Sequence, residues 1–323
     1  MSASFLARRL GAALATLVFV IAFNFVLFRI IPADPVAAML RGRNVSPEAI
    51  EKIKRDFALD KPLPQQFVRY VSELAHGNLG VSLTTRRPVT QRIGERIWPT
   101  IVLVGLSTLL SSLIGVFLGI HAAWRRGTAF DLGTTSFTML TYAMPDFYLG
   151  ILLFAAFAGG LGWLPTGGLI DPSSGATGIG RLLEEGRHLI LPCLTLTLAY
   201  LGEYAIIMRS SLIEVMGEDY LVTARAKGLR DSLVRRRHAV PNALLPTVTL
   251  IALNFGYVLS GAIAVETVFS WPGLGQLTSQ AVGDFDYPLL QGLFLVFSAS
   301  VIVANLIADV LYGVLDPRVR VAT

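Results

Sequence analysis

Several apolar runs of bilayer length constrain this chain more than any other feature. At 1.5 Å per residue, a helix needs about 20 apolar residues to cross roughly 30 Å of hydrocarbon. The spans predicted on that basis are Leu10–Ile31, Ile101–Ala123, Leu132–Phe157, Leu189–Met208, Ala243–Glu266 and Leu289–Leu311. No alternating pattern of barrel strands is present, and backbone polar groups in lipid must be satisfied internally, so these spans are expected to be helices. The fold class is therefore an all-α membrane protein with six transmembrane helices. With 53% hydrophobic and 15% charged residues, the chain is not an ordinary soluble domain, in which about 25% of residues are charged.

Arg8 and Arg9 precede the first run, as in a secretory signal. The run is too long for a signal-peptide core and no clean cleavage site follows it, so it is read as a retained span. Cys193 is the single cysteine and falls inside the fourth span, which leaves no internal disulfide and no cysteine-based metal site. His76, His121, His188 and His238 are scattered and form no metal-binding spacing. Arg8, Arg9, Arg125, Arg126, Arg209, Arg225, Lys227, Arg230, Arg235, Arg236, Arg237, Arg318 and Arg320 fall on one side of the spans, against Arg181 and Arg187 in the short loops opposite. By the positive-inside rule both termini are expected in the cytoplasm. The net charge of +5 reflects this topology and does not point to nucleic acid.

The expected division is residues 1–31 for the N-terminus and first helix, 32–98 for an extracytoplasmic helical segment, 99–313 for a five-helix core containing the loop 209–242, and 314–323 for a cytoplasmic tail. In the outer segment, Ser46-Pro47 predicts a helix over Glu48–Phe57. Phe67, Val71 and Leu74 recur on one face of a second short helix. This layer is expected to receive a soluble partner, line a pathway mouth, or simply shield the bundle. Gly159–His188 reads as irregular surface, and Ser270–Gly275 as a sharp turn with Trp271 at the membrane interface.

Within the spans, Ser107, Ser111, Gly115 and Gly119 form a small-residue stripe suited to close helix packing. Pro145 predicts a kink. Asp146, Glu203, Asn254 and Asp309 are polar residues in or near hydrocarbon, where a charge costs at least about 2.5 kcal/mol on insertion scales. Asp146, Glu203 and Asn254 are the candidates to line a solute pathway, one that favours a cationic group such as a peptide amino terminus. An interhelical pair or a contact with another subunit is the alternative; it is favoured for Asp146 and Glu203 too, and most strongly for Asp309.

The segment Asp219–Pro246 places two short polar helices between apolar spans. Asp219 is expected to cap a helix Tyr220–Lys227, and Gly228-Leu229 to stop it in a Schellman motif. Ser232 is expected to cap a second helix through about Val240, with Pro241 and Pro246 bracketing the entry to the next span. Packed in a groove on a partner, such a helix is a lever; the alternative is a surface helix whose arginines touch anionic lipid.

Thr223-Ala224-Arg225-Ala226-Lys227-Gly228-Leu229, followed by His238 and Asn242–Pro246, resembles the cytoplasmic loop of peptide-type ABC importer permeases. The general signature of these permeases is Glu-Ala-Ala, three residues, then Gly. Val222 and Thr223 stand at its first two positions here, so no contact is assigned to a glutamate there. IIPADP ending at Pro35, Leu59–Pro64, Gly77–Ser82, Leu161–Pro165, Glu266–Gly275 and Leu315–Arg318 are also similar to the B-type permease of dipeptide/oligopeptide systems.

The resemblance implies a subunit of the bacterial inner membrane, non-enzymatic by itself, paired with a sister permease in a heterodimer. It also implies an extracytoplasmic substrate-binding protein that delivers peptide, and two cytoplasmic ATPases that bind ATP and Mg. The ATPases would grip a coupling helix comprising Asp219, Tyr220, Thr223, Ala224, Arg225, Ala226, Lys227 and Gly228. Independently of the family, Lys52, Lys54, Lys61 and Lys227 are the only lysines and none precedes Ser or Thr, so no phosphate-binding loop of that type exists in the chain. A nickel or other small-solute cargo on the same fold is the nearest alternative. An intramembrane enzyme lacks converging polar groups, and a self-contained secondary transporter lacks an internal repeat.

Overall fold

The computed structural model describes residues 3–29, 48, 51, 61–258 and 262–315. Among these the chain is helical, without strands beyond an isolated bridge between Val81 and Pro88. The expected helix at Glu48–Phe57 lies outside the described residues except for helical Glu48 and Glu51. The helices are α1 (Ala3–Arg29), α2 (Leu63–Ala75), α3 (Val89–Trp124), α4 (Ala129–Ala143), α5 (Asp146–Leu153), α6 (Ile179–Val215), α7 (Asp219–Ala226), α8 (Asp231–Val234), α9 (Val240–Gly256), α10 (Ile263–Val268), α11 (Leu274–Gly283) and α12 (Tyr287–Leu315).

Four segments among the described residues are long and apolar enough to cross a membrane, within α1, α3, α6 and α12, or five if the bent pair α4–α5 is one span. The other predicted span, Ala243–Glu266, appears as the 17-residue α9 and the short α10, so a count of six is not reached among the described residues. Helices α3 and α6 begin ahead of their predicted spans because Val89–Thr100 and Ile179–His188 are polar helical extensions that an apolar-run criterion does not detect. Asp309 lies in α12, its side chain outside the described residues.

The chain forms two compact units, residues 1–98 with 273–323, and residues 99–272. In the first, α1 packs along α12, and Asn24 Nδ2 donates to the Gln291 carbonyl at 3.2 Å. Helix α2 joins them through Phe67, edge-on to Phe25 at 5.2 Å, while Val71 stays exposed although it was expected on the packed face. The buried Asp286 carboxylate accepts from Ser82 Oγ and the amides of Leu83 and Thr84, which ties the Gly77–Ser82 loop to the start of α12.

In the second unit α6 is the hub. Gly115 and Gly119 of α3 face it so closely that a Cβ would meet Tyr204 Cβ at 2.7 Å and the Ala205 carbonyl at 2.6 Å respectively. The small-residue stripe therefore serves packing, and Ser107 Oγ extends it by donating to Leu103 O at 2.7 Å, with Cys193 O at 3.3 Å. On another face, a Cβ at Gly202 would lie 2.4 Å from the Thr138 carbonyl of α4.

Pro145 does more than kink its span. Helix α4 stops at Ala143, Met144 is extended, and α5 restarts at Asp146 at an angle of 103°. Trp271 is not at an interface but 2% exposed, its Nε1 donating to Pro99 O at 3.0 Å within a core of Leu103, Leu191, Leu196, Val265 and Phe269.

Gly202→Ala should lower stability by about 2 kcal/mol, because overpacking a fitted contact costs 1–3. Gly105→Ala, on the same kind of helix but with nothing within 4 Å of the new Cβ, should be neutral or stabilising. Thermal unfolding of the two variants in one detergent compares these opposite signs.

Candidate functional site

The site is built around α7. The chain leaves α6 through a turn at Met216–Gly217, and Glu218, in extended backbone, is the N-cap. Asp219 is thus the first helical residue rather than the cap. There its charge still favours the helix N-terminus, and its carbonyl accepts from Thr223 Oγ1 at 3.1 Å.

The C-terminal stop is as expected. Gly228 has φ +77, its amide donates to Arg225 O at 2.9 Å, and the Leu229 amide donates to Ala224 O at 3.4 Å. That is the Schellman pair of bonds, and a residue with a Cβ adopts such a φ only under strain.

Ser232 is not a cap. Helix α8 starts two residues earlier than a Ser232 cap would place it, at Asp231 with Arg230 as N-cap, and runs through π-helical turns at Arg235–Ala239 directly into α9. Pro241 explains the wide turns, because its ring would clash with the Arg237 carbonyl in an α-helix and it has no amide to donate.

Helix α7 buries only a narrow edge. Leu221 and Ala224, one turn apart, sit on a floor of Ala123 from α3, Met208 and Leu212 from α6, Val234 and Ala239 from the α8 segment, and Ala243 from α9. Fixing these contacts at once makes an eight-residue helix, marginal alone, a rigid part of the unit. The remaining candidates face outward: Tyr220 at 41% and Val222 at 59% exposure, with Thr223, Arg225, Ala226, Lys227 and Gly228 also exposed. Asn242 Nδ2 donates to Tyr220 Oη at 3.1 Å and to His238 O at 2.8 Å, bracing the outward face against α9. The Arg225–Asp231 pair at 3.3 Å is exposed on both sides and adds at most about 1 kcal/mol.

A polar group that sequence reasoning missed stands beside this floor. Arg209, between Met208 and Leu212 in α6, donates from Nε to Asp131 Oδ1 at 2.7 Å and from Nη2 to Oδ2 at 2.9 Å. Asp131 is 4% exposed and also accepts from the Gly127 amide at 3.0 Å and from Thr135 Oγ1 at 3.4 Å. The sequence did contain a signal: opposite charges stand just outside consecutive predicted spans, Asp131 before Leu132 and Arg209 after Met208. Consecutive antiparallel spans bring such ends to one side.

Of the pathway candidates, the structure brings two into contact. Asn254 Nδ2 on α9 donates to Glu203 Oε2 at 3.3 Å and to Tyr204 Oη at 3.0 Å, both on α6. Asp146 accepts from the Phe147 amide at 2.7 Å and is not bonded to that pair, although it and Glu203 both lie in electrostatic range of Tyr200. Among the described residues no three His, Cys, Asp or Glu side chains group as a metal site.

Residues 115–321 match the family described as binding-protein-dependent transport system inner membrane component, and residues 2–104 match its N-terminal region. The chain belongs to this family. It is 40% identical to the di/tripeptide transport system permease protein DppB of Pseudomonas aeruginosa over 98% of both chains. It is also 40% identical to the glutathione transport system permease protein GsiC of Pectobacterium atrosepticum over 97% of both. Identity to the dipeptide transport system permease protein DppB of Escherichia coli K12 is 36% over 98% of both. In fold it is similar to a chain of the inward-facing MetNI methionine ABC transporter, with TM-score 0.54 and 16% identity, covering 70% of this chain and 97% of that one. This membrane component is thus a multi-pass inner-membrane protein working with a binding protein.

Gly228→Val should strain the stop of α7 while leaving the spans intact. The expected result is normal membrane insertion, with peptide uptake per ATP hydrolysed in the assembled transporter reduced severalfold, measured by radiolabelled uptake and phosphate release together.

Proposed function

We propose that this chain is one half of the translocation pathway of an ATP-driven importer of di- and oligopeptides. The observation that carries the reading is α7: one edge is buried in a cluster shared with three longer helices, and the rest is exposed. A helix so mounted passes a push to α3, α6 and α9 together. The proposed source of the push is a pair of cytoplasmic ATPases holding ATP and Mg, each gripping one such helix. A sister permease supplies the other half of the pathway, and an extracytoplasmic binding protein delivers cargo. Both termini then lie in the cytoplasm. ATP shifts the alternating-access equilibrium only insofar as it interacts differently with the two states.

The peptide cargo is supported by the near full-length likeness to permeases named for di- and tripeptide transport. Glutathione is a second reading, supported by the equal identity to a permease named for it. Glu203, Asn254 and Asp146 are proposed to line the pathway, where two carboxylates with a shared polar neighbourhood suit the amino terminus of a peptide.

Two outcomes test this. The purified chain alone should hydrolyse no ATP, and robust activity would contradict the subunit role. In the assembled transporter, uptake of a dipeptide, a tripeptide, glutathione and nickel should favour peptides, with Asp146→Asn and Glu203→Gln altering the order of preference; an unchanged order across all cargoes would return both carboxylates to packing.

A further inference from the structure

The Asp131–Arg209 pair has a place in the fold that packing alone does not require. Helices α4 and α6 run antiparallel, and they touch at two levels. At one, Gly202 lets the α6 backbone approach the Thr138 carbonyl. At the other, Arg209 meets Asp131 in a two-point ion pair. Arg209 is seven residues beyond Gly202, and Asp131 is seven residues before Thr138, so the levels share one register. They are separated by about 10 Å along the axis at 1.5 Å per residue.

The two levels differ in kind. The Gly202 contact is steric and tolerates sliding only at the cost of overlap. The ion pair is directional, held by two parallel N–H···O bonds, and can pull as well as push. It is also the level next to the coupling helix: Met208 and Leu212, on either side of Arg209, are buried in the floor under Leu221 and Ala224.

At its other end α4 terminates at Ala143, and the Met144-Pro145 break leads into Asp146. Helix α4 is thus a rod of 15 residues, about 22 Å long, with Asp131 near one end and a pathway candidate beyond the other. Asp131 fastens the rod's near end to the preceding loop as well, through the Gly127 amide.

We propose that Asp131 and Arg209 are positioning residues that transmit displacement of α7 to α4, and through α4 to the bend at Pro145 and Asp146. The proposal rests on the reading of α7 as the coupling helix. The route runs from Leu221 and Ala224 to Met208 and Leu212, from Arg209 to Asp131, and then along α4.

The experiment uses the full transporter, this chain with its sister permease, ATPases and binding protein, reconstituted in proteoliposomes. It reads assembly, basal ATP hydrolysis and peptide taken up per ATP. Asp131→Asn and Arg209→Gln should assemble and hydrolyse ATP, but lose at least tenfold in uptake per ATP. The charge-exchanged double variant Asp131→Arg/Arg209→Asp should recover to within threefold of the parent. Asp131→Glu keeps the charge on a longer arm and should assemble with an intermediate ratio, even if the neutral variants fold poorly.

An unchanged uptake per ATP in Asp131→Asn, or in Asp131→Glu should Asp131→Asn not assemble, overturns the proposal. A double variant no better than the singles also overturns it. Leu221→Asp strikes α7 and not the pair, and so separates the two readings. If it leaves uptake per ATP unchanged, the coupling-helix reading falls and takes this proposal with it. If it lowers the ratio while the Asp131 variants do not, only the proposed transmission route falls.

Discussion

The backbone-to-backbone approach of α6 to its neighbours is the constraint on which the second unit depends. Inside a bilayer there is little hydrophobic gain from bringing two apolar helices together, so close packing and polar contacts must hold them. Glycine at 115 and 119 on α3 and at 202 on α6 removes the side chains that would keep the axes apart. Where α6 emerges from that grip, its last turns carry Met208, Arg209 and Leu212, and these receive α7, α4 and the α8–α9 segment. The same helix therefore carries the proposed pathway residue Glu203, its neighbour Tyr204, and part of the floor beneath α7. A movement of one end is difficult to confine to that end.

The polar groups divide by what satisfies them. Glu266 is fully buried and accepts from Thr100 Oγ1 at 2.9 Å, and Asp286 is held by a side chain and three amides; both fasten structure. Glu203, Asn254 and Asp146 are only partly buried. Glu203 is bonded through a single 3.3 Å contact from an amide it shares with Tyr204. A carboxylate so lightly held in an apolar unit retains capacity to accept a bond from something that passes. That difference, rather than mere position in a span, separates the pathway candidates from the fasteners.

Local physics was legible in the sequence. The α7 stop at Gly228-Leu229 depends on residues within six positions and was readable as a Schellman motif, and the break at Pro145 follows from a missing amide. What was not legible depends on distant partners or on context. Trp271 reads as an interfacial anchor until Pro99, 172 residues earlier, offers its carbonyl to the indole. Asp131 and Arg209 are 78 residues apart and each looked like ordinary charge at a span end. The cap of α7 was misplaced by one residue and that of α8 by two, because Asp and Ser are good caps in general while the turn at Gly217 and the non-helical backbone of Arg230 decided the local geometry.

The central claim is that α7 is the surface on which a cytoplasmic ATPase acts. Cys193, the single native cysteine, is buried, so a cysteine introduced at exposed Val222 is a selective target for a membrane-impermeant maleimide. The account predicts labelling from the cytoplasmic side when the permease is alone, and protection when the ATPase subunits are bound. Labelling only from the outer side, or labelling indifferent to the ATPases, would contradict it.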